Sequence, residues 1–74
     1  MFERKSVNEL IELAANGAGF ELKANLKSTN DLTTIALAAK RGGARITFSG
    51  MKLRPHKEIM QIARAGGGNI TFTD

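Results

Sequence analysis

Arg41-Gly42-Gly43-Ala44-Arg45-Ile46-Thr47-Phe48 and Ala65-Gly66-Gly67-Gly68-Asn69-Ile70-Thr71-Phe72 are two copies of one pattern, 24 positions apart. In each, glycines divide an upstream segment with apolar residues at helical spacing from a downstream segment that alternates with period two. Glycine stops a helix, and alternation marks a half-buried strand.

Working outward, the same spacing reaches the beginning of the chain. Ile11, Ile35 and Ile59 coincide at this period, as do Ala15, Ala39 and Ala63, and Gly19, Gly43 and Gly67. Leu22, Ile46 and Ile70 follow three residues after those glycines. An internal repeat of this kind is read before any motif. It divides the chain into units of about 3–26, 27–50 and 51–74, each helix then strand.

The helix starts carry local signals. Ser6 and Glu9 have capping-box spacing, and Val7, Leu10, Ile11, Ala14 and Ala15 fall on one helical face. Asn30 takes the same repeat position as Ser6, with Asp31 as a first-turn acid. Pro55 is expected at the first helical position, where a missing N–H is tolerated. Gly17, Gly42 and Gly66 are expected to be the left-handed helix caps.

The strands oppose Phe20, Leu22, Ala24 and Leu26 to Glu21, Lys23 and Asn25. Ile46 and Phe48 are opposed by Arg45, Thr47 and Ser49, and Ile70 and Phe72 by Asn69, Thr71 and Thr73. Strands covered on both faces would read as unbroken apolar runs. The segment from Asn25 to Ala44 is long enough for a crossover helix, which makes neighbouring strands parallel. The expectation is one α/β domain over residues 1–74: two layers, a three-stranded, mainly parallel sheet and helices on one face. An antiparallel return of one strand is the alternative.

Composition narrows the chemistry. The 74 residues include one histidine and no cysteine, tryptophan or tyrosine. Disulfides and thiolate metal sites are excluded, and one histidine cannot build a multi-His site. No metal or cofactor is expected. No apolar run is long enough to span a bilayer, and the first residues do not read as a signal peptide. The expectation is a soluble cytoplasmic protein without a membrane partner.

The net charge of +4 is unevenly spread. Residues 1–31 carry Arg4, Lys5, Lys23 and Lys27 against five acids, whereas residues 32–74 carry seven cations against Glu58 and Asp74. The glycine clusters follow helices and precede strands, the reverse of a phosphate loop, so they read as helix ends. Ligands of open parallel sheets gather beyond the carboxyl ends of the strands. There the sequence places Lys52, Arg54, His56 and Lys57, the one candidate patch for an anion or a phosphate backbone. The ordinary reading of such a loop is a solvated one, and no aromatic residue is interleaved for base stacking. The open sheet face offers Lys23, Arg45, Thr47, Ser49 and Thr71.

No nucleophile elbow and no catalytic pair of side chains stands out. The reading is a non-enzymatic interaction or self-association module presenting an open polar sheet face to a protein partner. A nucleic-acid or anion-binding module using the loop at 50–57 is the alternative.

Overall fold

The computed structural model describes residues 5–25 and 27–74. Helix and strand alternate throughout: α1 (Val7–Ala15), β1 (Phe20–Lys23), α2 (Thr29–Gly42), β2 (Ile46–Ser49), α3 (His56–Gly66) and β3 (Ile70–Phe72). The three strands form one sheet in the order β1-β2-β3, and both pairings are parallel. The parallel α/β expectation holds, and the antiparallel alternative does not.

Period-two alternation sorts each strand into an inward and an outward row. Leu22, Ile46 and Phe48 are fully buried under the helices, and Phe20, Ile70 and Phe72 are partly buried beside them. Phe48 and Phe72 are direct neighbours in register, their ring centroids 6.4 Å apart and tilted by 45°. Such a pair contributes beyond its simple burial.

The second layer is the row of helices, with α2 packed against both α1 and α3. A helix flanked on both sides and backed by a sheet must be apolar over a wide arc. In α2, Leu32, Ile35, Ala36, Ala38 and Ala39 are all buried. They meet Leu10 and Ala14 of α1 and Ile62 of α3 in one continuous core. Full burial of each large side chain stabilises by roughly 1.5–3 kcal/mol.

The 24-residue period describes the architecture better than the register. Ile46 pairs with Ile70, which is 24 residues on, but its partner in β1 is Phe20, 26 residues back. Helix length is the cause: α2 has 14 residues, against 9 in α1 and 11 in α3. The longer crossover shifts the first unit by one full side-chain period, so inward residues still face inward.

Helix ends also differ in detail from expectation. The α1 capping box forms as read: Ser6 Oγ accepts from the Glu9 amide at 3.2 Å and Glu9 accepts from the Ser6 amide at 2.9 Å. For α2 the cap is Ser28, whose Oγ accepts from the Asp31 amide at 3.1 Å, while Asn30 lies inside the first turn. Pro55 is the cap residue of α3, with an extended backbone, instead of its first helical residue.

The left-handed caps of α2 and α3 are Gly43 and Gly67, with φ of 76° and 55°. Gly42 and Gly66 close the helices and serve packing instead. A Cβ on Gly42 would collide with the Ala14 carbonyl oxygen of α1, and one on Gly66 with the Ile70 side chain. Gly17 is left-handed as expected, one residue beyond the Asn16 cap of α1. Leu26, read as a strand residue, lies outside the described residues; β1 ends at Lys23.

Candidate functional site

Three short strands ending at one level expose their carboxyl edge to whatever the following loops build. The β1–α2 loop contributes Asn25, and the β2–α3 loop runs from Gly50 to Pro55. Gly50 turns the chain with φ of 74°. Met51 then inserts its side chain into the core at 2 % exposure. The Arg54 amide donates to the Met51 carbonyl at 3.1 Å, closing a turn with Lys52 and Leu53 at its tip.

Arg54 is the strut of this region. One guanidinium nitrogen donates to Thr29 Oγ1 at 2.8 Å, and the other donates to the carbonyls of Ala24 and Lys27 at 3.0 and 2.8 Å. Thr29 in turn donates to Glu58 Oε1 at 2.6 Å, and that carboxylate lies 3.8 Å from Arg54. The side chain of Arg54 is 12 % exposed. A planar fork of donors suits this task, because it satisfies two loop carbonyls and a hydroxyl at fixed angles.

Between the two braced loops lies a cleft of about 720 Å³, across the ends of β1 and β2. Lys23 and Asn25 line it from the β1 side, and Ser49 and Gly50 from β2. Lys52, Leu53 and Pro55 form its lip, and Glu58 and Asp74 complete the wall. Leu53 is 93 % exposed.

The basic-loop candidates therefore divide. Lys52, His56 and Lys57 are exposed around the start of α3, whereas Arg54 is turned inward and engaged by Ala24, Lys27 and the first residue of α2, Thr29. The sheet-face candidates lie together on the side away from the helices. Glu21 stands opposite Thr47 and Thr47 opposite Thr71, with Lys23 opposite Ser49. Lys23 and Thr71 are exposed, Thr47 and Ser49 half-buried, and Ser49 Oγ donates to the Leu22 carbonyl at 3.3 Å. Arg45 is exposed just before β2. Asn69, read with that face, binds instead to the carbonyls of Ala39 and Ala44 at 3.4 and 2.9 Å, tying β3 to the end of α2.

Among the described residues, no group of three or more His, Asp or Glu side chains is placed to hold a metal ion. No helix there is long and apolar enough to cross a membrane.

Both outer strands, β1 and β3, pair with β2 alone among the described residues. On β3, the Asn69 carbonyl accepts from Ile46 and the Thr73 amide donates to Phe48. Odd-numbered positions thus point to β2, and the main-chain groups of Ile70 and Phe72 point to the outer edge. No strand lies along that edge among the described residues. Comparison of the chain with models of known protein families, with curated proteins and with solved structures gives no match.

Proposed function

We propose that this protein is a non-enzymatic interaction module that docks through its open sheet, first of all with a second copy of itself at the β3 edge. The supporting observation is the contrast between Phe48 and Phe72. They are neighbours in register, yet Phe48 is fully buried and Phe72 only partly so, on a strand with no neighbour along its outer edge among the described residues. Unpaired edges next to apolar side chains are templates for strand addition. Ile59 and Ile70 are likewise partly buried, and Met60 is exposed. Light scattering on a size-exclusion column, run across a wide range of loading concentrations, tests this. A mass that rises with concentration is expected; a constant monomer mass overturns it.

A second reading is supported by the exposure of Lys52, His56 and Lys57 at the start of α3. In that reading the loop takes a phosphate backbone, and affinity falls steeply with salt. Titration of a single-stranded oligonucleotide at two salt concentrations decides it. Binding left unchanged by joint replacement of Lys52 and Lys57 excludes this loop.

A further inference from the structure

We propose that the cleft at the carboxyl end of the sheet is a docking site for a short acidic peptide segment carrying one apolar side chain. The site is separate from the β3 edge and does not depend on self-association.

Its shape is held in advance. Met51 anchors one end of the Lys52–Leu53 turn in the core, and the Arg54 guanidinium anchors the other to Ala24, Lys27 and Thr29. Leu53 thus owes its position to its neighbours and not to contacts of its own, and the fold holds a large apolar side chain in solvent on the lip of a cleft. Preorganisation of this kind lowers the ordering cost of binding.

Charge identifies the occupant. Lys23 of β1 and Lys52 of the β2–α3 loop line the cleft, and neither has an ion-pair partner among the described residues. Glu58 lies on the same wall, but its carboxylate accepts from Thr29 and sits beside Arg54, which offsets its charge. Asp74 is the one acid left to oppose an anion there. Cations flanking an apolar lip match an acidic segment with an apolar anchor: the charges steer, and the anchor holds. A lone small anion fits less well. The cleft is far larger than one, and no buried side-chain polar atom among the described residues lacks a partner with which to receive it.

The probe is a fluorescein-labelled peptide, Glu-Asp-Leu-Glu-Asp, followed by anisotropy, with a version carrying serine for leucine and with inorganic phosphate as competitor. Binding is expected to weaken about tenfold or more in Leu53→Ser and in the pair Lys23→Glu with Lys52→Glu, and with the serine peptide. Asp74→Asn is expected to tighten it. Because Leu53 lies in solvent, Leu53→Ser retains the wild-type circular dichroism and melting temperature, so loss of binding is not loss of fold. The proposal is overturned by absence of binding up to about 1 mM peptide. Equal affinity of the Leu53→Ser and wild-type proteins, or full displacement by millimolar phosphate, overturns it as well.

Discussion

Arg54 donates to the main-chain carbonyl of Lys27 at 2.8 Å, joining the loop after β2 to the loop after β1. The two residues are 27 positions apart and belong to different repeat units. With the bonds to Ala24 and Thr29, this contact ties the two crossover connections together. A cation that could have faced an anion from outside is used as internal bracing.

The bracing is testable by a substitution that keeps the charge. Lysine cannot reproduce the forked donor geometry: the Lys27 carbonyl would lose the Arg54 donor, and the Ala24 carbonyl would keep only its bond from the Lys27 amide. Arg54→Lys is expected to cost about 1–3 kcal/mol in urea unfolding. An unchanged unfolding midpoint would show that the two connections hold without it.

Two adjacent glycines are expected to fail for different reasons. Gly43 has φ of 76° and open space around a notional Cβ, so Gly43→Ala costs about 1–2 kcal/mol of backbone strain alone. Gly42 is helical, but its Cβ would strike the Ala14 carbonyl. Gly42→Ala must separate α1 from α2, an overpacking cost of about 1–3 kcal/mol. Chemical shifts in α1 should therefore move in Gly42→Ala and stay in place in Gly43→Ala, and the reverse pattern would contradict these roles.

The α1 capping box carries a pH signature. Hydrogen bonding from the Ser6 backbone, and then the charge of Lys5, lower the pKa of Glu9 below its ordinary carboxylate value. A carboxylate with a lowered folded-state pKa contributes stability that is present above its unfolded pKa. That contribution is lost as pH falls through the folded value. Wild type and Glu9→Gln should thus differ in melting temperature near neutral pH and converge in acid. A gap that is constant across the pH range would exclude this contribution.

The two neighbouring phenylalanines should separate core from edge. Phe48→Ala removes a fully buried ring and is expected to cost about 3–5 kcal/mol, enough to unfold a domain of this size. Phe72→Ala should cost the monomer less and abolish the rise of mass with concentration. Equal losses of monomer stability would mean that Phe72 is as much a core residue as Phe48.

The order of elements was legible because its signals are local. Leu10 and Ala14 at helical spacing, and Ile46 and Phe48 in alternation, declare their elements within a few residues. Where two residues of similar propensity stand close together, the sequence reading chose wrongly. Ser28 and Asn30 can both cap a helix, but Ser28 Oγ is the one that reaches the Asp31 amide. Gly42 and Gly43 can both adopt left-handed backbone, and the approach of α1 assigns them separate tasks.

The offset of 26 residues between β1 and β2 reflects the length of α2, which a fixed period hides. The surroundings of the candidate site were legible only in part. Arg54 reads as a surface cation because its partners lie 25 to 30 residues upstream. Asn25, Leu53 and Asp74 meet at the cleft through topology alone.

Amide hydrogen exchange at β3, measured as a function of protein concentration, tests the proposed interaction most directly. If a second copy adds to this edge, the amides of Ile70 and Phe72 become slower to exchange as concentration rises. The Thr73 amide, already bonded to the Phe48 carbonyl at 2.9 Å, changes little. Fast exchange at Ile70 and Phe72 that is identical at every concentration would contradict the account.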